Sequence, residues 1–332
     1  MSISPEDLAR ARHVLQTLRL ELAKAVVGQR DAVDQTLAAF VASGHVLIEG
    51  VPGLGKTLLA RALAKAMTLG FARVQFTPDL MPSDITGYTV LDRDVPGQGP
   101  TSLSALRVIR GPVFTNLLLA DEVNRAPAKT QSALLEVMQE YQVTLEGRTL
   151  ALPRPFIVIG TQNPIETEGT YPLPEAQLDR FLVKVRIGYP SHADENAIVR
   201  KTTEQQTGDE LPLGEVTPQL DERAALALQK MAAWVRVDTQ VADYAVRIAR
   251  ATRDWPGLAI GAGPRGAIAL VRVARAIALL EGRDFVLPDD IKRYALPTLR
   301  HRVSLAPDAQ LEGREVDALL SSALESVEAP RL

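Results

Sequence analysis

Residues 45–67 read HVLIEGVPGLGKTLLARALAKAM, and the fold turns on them. HVLIEG (45–50) has strand character and TLLARALAKAM (57–67) reads as a helix. Between them Gly50-Val51-Pro52-Gly53-Leu54-Gly55-Lys56-Thr57 satisfies G-x-x-x-x-G-K-[ST], in the strand-then-helix context that a phosphate-binding loop requires. Gly53 and Gly55 permit backbone angles that turn successive N–H groups inward around phosphate oxygens. The helix opening near Lys56 adds the positive end of its dipole. Lys56 supplies a point charge for the β- and γ-phosphates of ATP, and the Thr57 hydroxyl is the expected ligand for Mg²⁺. The expected phosphate-binding run extends from Gly50 to Leu58.

Outward from this stretch the chain alternates. RVQF (73–76), LLLADE (117–122), FIVIGTQN (156–163) and LVKVRI (182–187) read as strands; TQSALLEVMQEY (130–141) and AQLDRF (176–181) read as helical. Residues 4–26 form a leading helix, with Ser4 as N-cap, Pro5 at N1 and Glu6 and Asp7 in the first turn. Such alternation predicts an α/β fold: a parallel sheet covered by helices on both faces, with ligands at the carboxyl ends of the strands. Near Tyr189-Pro190 the pattern turns helical, with amphipathic segments at 222–236, 238–253, 264–281 and 288–296. The division expected is a nucleotide-binding core over 1–190, a linker over 191–218 and an all-helical domain over 219–332. Two excursions interrupt the core. In 79–113, two stretches with strand character flank a tip holding Pro96, Gly97, Gly99 and Pro100; in 142–153, two alternating runs flank Glu146-Gly147, a hairpin signal.

LLLADE delivers two adjacent carboxylates to the tip of a buried strand, an arrangement with no folding rationale, because burying charge is costly. Asp121 is the expected metal-side carboxylate, and Glu122 the base that polarises the attacking water. Asn163, at the end of the next expected strand, can orient water or the γ-phosphate; by itself it reads rather as a turn residue before Pro164. Arg180 ends a helix in Leu178-Asp179-Arg180-Phe181, and Arg265 opens one in Gly263-Pro264-Arg265-Gly266. Arg265 opposes the dipole of its helix, which hints at an anion partner, and a guanidinium is what phosphoryl transfer needs.

Composition narrows the remaining classes. The 332 residues are 46% hydrophobic and 23% charged with a net charge of −3, as in an ordinary globular protein with no global attraction to nucleic acid or anionic lipid. With no cysteine, disulfides and thiolate chemistry are excluded. His13, His45, His192 and His301 share no ligand spacing and read as structural or surface groups. The N-terminus lacks the apolar core and cleavage site of a signal peptide, and no run is long enough for a membrane helix, so a cytoplasmic location is expected.

The series VVGQ (26–29), GVPGLGKT (50–57), LLLADEVNRAPAKTQSALLEVMQE (117–140), GTQNPIETEGTYPLPEAQLDRF (160–181) and GPRG (263–266) resembles the MoxR family of AAA+ ATPases, in order from about residue 20 to 300. The resemblance implies an AAA+ core followed by a helical lid, with ATP bound between them and against a neighbouring subunit of a homo-oligomeric ring, expected as a hexamer. By motif match Lys56 and Thr57 are Walker A, Asp121 and Glu122 Walker B, Asn163 sensor 1, Arg180 an arginine finger acting in trans and Arg265 sensor 2 of the lid. Val27, Gly28 and Gln29 fall where such proteins line the adenine pocket, and Arg125 falls near the subunit interface. The first excursion, over 92–110, departs from the usual family wording and reads longer. Family members are chaperone-like remodelling ATPases that commonly work with von Willebrand factor A domain partners in activating other enzymes or inserting their metal cofactors. A DNA-dependent motor or magnesium-chelatase-like subunit is one rival reading, opposed by the acidic balance. A nucleotide-gated scaffold with little turnover is another, opposed by the intact Asp121, Glu122 and Asn163.

Overall fold

The computed structural model describes residues 3–91, 106–164, 170–203 and 212–331. Ser4 opens α1 (Pro5–Ala25), its hydroxyl accepting from the Asp7 N–H at 3.1 Å, which satisfies one of the orphan donors of the first turn. Helix α2 (Arg30–Val41) follows, then β1 (His45–Glu49), α3 (Lys56–Ala66), β2 (Phe71–Gln75) and the short α4 (Pro82–Thr86). β3 (Gly87–Leu91) and β4 (Leu106–Arg110) pair antiparallel as the flanks of the first excursion; the tip read around Pro96–Pro100 lies outside the described residues. Next come β5 (Leu117–Asp121), α5 (Ala128–Glu140), β6 (Gln142–Leu145), β7 (Arg148–Ala151), β8 (Ile157–Gln162), α6 (Glu175–Leu178) and β9 (Phe181–Arg186). β6 and β7 form the hairpin expected of 142–153, with Glu146 and Gly147 both at positive φ (46° and 73°), as a two-residue turn with the right-handed strand twist requires.

The five-stranded sheet has the order β2-β5-β8-β1-β9, and all its pairings are parallel. Side chains alternate between its faces, and both faces are buried. Val46 and Ile48, Leu117 and Leu119, and Ile157 and Ile159 point into one apolar cluster with α1 and α3. Leu47, Leu118, Ala120 and Val158 point into the other, against Leu134, Val137 and Met138 of α5. Near-continuous apolar strands are the consequence, which is why the strands are legible in the sequence.

The helical part comprises α7 (His192–Thr203), α8 (Glu222–Trp234), α9 (Thr239–Ala251), α10 (Pro264–Leu280), α11 (Pro288–Arg293), α12 (Ala295–Leu299), α13 (Pro307–Leu311) and α14 (Val316–Glu325). A two-stranded ribbon joins β10 (Leu258–Ile260) to β11 (Ser304–Leu305). Residues 192–203, within the stretch read as a linker, are helical, while 204–211 lie outside the described residues. Val273 and Ile277 of α10 share one apolar cluster with Leu15, Leu18 and Leu22 of α1 and with Val46 of β1. Core and helical part are therefore packed through one hydrophobic body. Helix α2, absent from the sequence reading, starts at Gln29 without a side-chain cap, and its buried Asp34 is held by Arg19 of α1 at 2.6 Å. Such a polar residue on a buried helix hides the amphipathic signal.

Candidate functional site

The loop after β1 wraps the mouth of a cavity of about 890 Å³. Gly53 and Gly55 stand at φ 86° and 79°, and a Cβ at either would meet nothing within 4 Å. The left-handed backbone, not lack of room, is what demands glycine there. At Gly50 the reason is contact: a Cβ would lie 2.7 Å from the Ile187 carbonyl oxygen. Lys56 opens α3 and is buried, donating from Nζ to the Gly50 carbonyl at 2.6 Å. Burial lowers its pKa from the usual lysine range, while Asp121 and Glu122 oppose the shift.

Asp121 ends β5, buried between two donors. Its Oδ1 accepts from the Thr161 hydroxyl at 2.5 Å, and its Oδ2 accepts from Arg73 Nη2 at 2.7 Å and Nε at 3.1 Å. Glu122, the next residue, adopts a left-handed backbone (φ 56°, ψ 50°), a conformation that costs a non-glycine residue roughly 1–3 kcal/mol and is concentrated at functional sites. Its N–H donates to the Thr161 hydroxyl at 2.9 Å. Its Oε2 accepts from Gln75 Nε2 at 2.8 Å and pairs with Arg125 Nε at 3.0 Å. Asn163 is buried one residue beyond β8, on the strand between β5 and β1.

Of the residues singled out in the sequence, Val27, Gln29, Pro52 through Leu58, Asp121 and Glu122 line this one cavity. Gly28 sits at φ 74° in the turn before α2, and Val51 is in the loop itself. Other lining residues went unread: Arg73 and Gln75 reach in from β2, and Ile198, Lys201 and Thr202 come from α7. The α7 start did carry a signal: Ser191 caps it, its Oγ accepting from the Asp194 N–H at 3.2 Å and donating to the Asp194 carboxylate at 2.7 Å.

Arg180 and Arg265 line a different cavity of about 340 Å³, together with Arg272, Arg302, Asp179 and His45. His45 begins β1 and Glu49 ends it, so this cavity and the P-loop lie at opposite ends of a strand about 16 Å long. Arg302 is nearly fully buried; its Nε donates to Asp179 Oδ1 at 2.8 Å, and burial pulls its pKa down to about 10. Arg265 reaches the other oxygen of Asp179 at 3.6 Å. Arg272 donates to the carbonyls of Ala42 and Ser43 at 2.6 and 3.0 Å, tying α10 to the turn before β1. Arg180 Nε and Nη1 are buried with no hydrogen-bond partner among the described residues. No described residue of 219–332, the expected lid, lines the P-loop cavity; Arg265, expected as sensor 2, lines the cavity that holds Arg180 instead.

A five-stranded parallel sheet, a glycine-bent phosphate loop on its fourth strand in spatial order, paired carboxylates on the strand two places away and a helical domain behind define a P-loop nucleotide hydrolase. The comparisons sharpen the class. Residues 45–183 match the model for the ATPase family associated with various cellular activities (AAA), and residues 250–323 match the AAA lid domain. The chain is 44% identical to the protein YeaC of Bacillus subtilis, over 92% of each chain. It is 42% identical to Chaperone MoxR1 of Mycobacterium tuberculosis, over 98% of this chain and 85% of that one. A crystal structure from Cytophaga hutchinsonii superposes with a TM-score of 0.87 at 39% identity, covering 98% of both chains. The chain belongs to the MoxR family of AAA+ ATPases. It is accordingly a chaperone-like ATPase that binds nucleotide and hydrolyses ATP. Among the described residues no helix is long and apolar enough to cross a membrane.

Proposed function

We propose that this ATPase works as a homo-oligomeric ring, with a hexamer as its working form, in which each catalytic centre is completed by arginines of the neighbouring subunit. The observation that carries this reading is the pair Arg180 and Arg265, which line one cavity at the far end of the sheet from their own P-loop. Two buried guanidinium nitrogens of Arg180 have no acceptor among the described residues, which is costly unless an anion supplies one. A neighbour's phosphate would supply it through charge-assisted hydrogen bonds.

Within one centre, Lys56 meets the β- and γ-phosphates, Glu122 accepts the proton of the attacking water, and Asn163 orients that water or the γ-phosphate. Val27, Gly28 and Gln29, with α7, hold the adenine end. The donor set suits Mg²⁺: the Thr57 hydroxyl and Asp121 carboxylate are hard oxygen ligands beside one cavity, and this ion takes few protein oxygens and completes its shell with phosphates and water. When bound, Mg²⁺ neutralises charge on the β- and γ-phosphate oxygens.

Turnover in this reading remodels a client protein in the cytoplasm, activating or assembling it with a von Willebrand factor A domain partner, metal-cofactor insertion being one form of that work. Family membership and the chaperone named among the relatives support it. The ring is tested by mixing Arg180→Ala subunits with Glu122→Gln subunits. Interfaces that pair an intact finger with an intact base should raise ATP turnover above that of either variant alone, and dilution below the assembly concentration should abolish the gain. Confirmed co-assembly with no recovery at any ratio overturns the shared centre.

A further inference from the structure

Arg73 and Gln75 belong to no motif that led to the site, yet they join its two carboxylates. They lie two residues apart on β2, so their side chains leave the same face of the sheet, and β2 is registered against β5 with Gln75 opposite Asp121. Arg73 Nη2 donates to both Asp121 Oδ2 (2.7 Å) and Gln75 Oε1 (3.1 Å), while Arg73 Nε adds a second bond to Asp121 Oδ2 (3.1 Å). Because the Gln75 oxygen faces Arg73, its amide nitrogen is the end left for Glu122, and it donates to Oε2 at 2.8 Å. An amide turned the other way would set its oxygen against the Glu122 carboxylate.

We infer that Arg73 is a positioning residue that competes with the divalent cation for Asp121 and, through Gln75, ties metal occupancy at Asp121 to the orientation of Glu122. The inference rests on the reading of Thr57 and Asp121 as the metal's protein ligands. Asp121 Oδ1 is held by the Thr161 hydroxyl, so Oδ2 is the oxygen for which a cation and the Arg73 guanidinium contend. Arg73 has room to withdraw, since its side chain is 45% exposed. Once it leaves Asp121, the Gln75 oxygen loses the donor that sets its amide, and the hold on Glu122 loosens as the metal arrives. Arg125, at 3.0 Å, remains as the second partner of Glu122.

The test is a Mg²⁺ titration of the binding of a fluorescent, non-hydrolysable ATP analogue to the full-length protein, alongside steady-state turnover. R73A removes the competitor and should lower the half-saturating Mg²⁺ concentration roughly two- to fivefold, the worth of a half-exposed ion pair, while turnover falls. R73K keeps the charge but not the fork that spans Asp121 and Gln75, so it should leave the Mg²⁺ midpoint near wild type and still lower turnover. Q75A should do the same. R73Q, which keeps polarity without charge, repeats the R73A measurement if that variant is unstable. D121N is the control and should raise the midpoint. A D121N midpoint equal to wild type overturns the metal reading and this inference with it. A shifted D121N beside an unshifted, folded R73A and R73Q overturns the role of Arg73 alone.

Discussion

The two cavities at the ends of β1 are built on opposite electrostatic plans. Around the P-loop, Lys56 and Arg73 face Asp121 and Glu122, and almost every charge has its counterpart within the chain. At the other end, Arg180, Arg265, Arg272 and Arg302 face one carboxylate, Asp179. His45 adds no charge there. The Val158 N–H donates to its Nδ1 and leaves Nε2–H to donate to the Met138 carbonyl, each at 3.0 Å, and burial drops its pKa to about 4. A balanced site can organise itself; a one-signed site is finished only by something brought to it.

The largest expected effect tests the one-signed cavity. Arg180→Ala should lose about 10³- to 10⁵-fold in ATP turnover, the range for a finger that stabilises transition-state charge, while analogue binding measured by calorimetry stays near wild type. A parallel loss of binding would move Arg180 into its own chain's nucleotide site and erase the contrast. Glu122→Gln tests the balanced cavity. Its amide keeps the shape but cannot take the proton of water, so turnover should fall about 10²- to 10⁴-fold with ATP still bound in a rapid-quench experiment; unchanged turnover removes Glu122 from the mechanism.

Smaller still, Lys56→Ala should weaken ATP-analogue binding about 10- to 100-fold, the worth of a lost charge-assisted hydrogen bond, with the thermal midpoint of the ligand-free protein little changed. Near-normal affinity would sink the phosphate assignment.

The mildest prediction concerns proton linkage. Because the folded pKa of His45 is depressed below its unfolded value of 6.5, the unfolded chain binds the extra proton as pH falls. The neutral ring's contribution is complete above about pH 6.5 and is lost between that value and about pH 4, amounting to about 3 kcal/mol. His45→Gln can donate to Met138 and accept from Val158 without titrating, so its urea midpoint should decline less between pH 7 and pH 4.5 than that of wild type. His301, likewise buried with a pKa well below the usual value, retains part of the slope. Parallel declines would show that His45 is not the linked group.

Legibility in the sequence follows the same division as the charges. In the phosphate loop the chemistry is consecutive: a strand, two glycines at positive φ, a lysine and a threonine opening a helix, all within 45–57. Asp121 and Glu122 are readable because an apolar strand has no other reason to end in carboxylates. Arg73 and Gln75 carried no such signal, since polar residues at the end of an edge strand are ordinary until β5 is known to lie beside them. Helix α2 was hidden by its buried Asp34, whose partner Arg19 is on another helix. The cover that α7 gives the nucleotide cavity depends on the chain returning to α1 after β9, a path that local propensity does not encode.

What the sequence alone determined were features whose physics is local: the near-continuous apolar runs of the buried strands, the Ser4 cap and the glycine-bent loop. What only the tertiary structure decided was which groups share a space. Arg265 is 85 residues beyond Arg180 (265 minus 180), and its place beside Arg180 and Asp179 is set by α10 packing on α1 and α2 and by Arg272 holding the turn before β1. A guanidinium has the same chemistry wherever it stands, but the field it creates depends on distance and on the dielectric around it. Both are properties of the packed chain, so the sequence could name the arginines while the fold alone chose the end of the sheet they face.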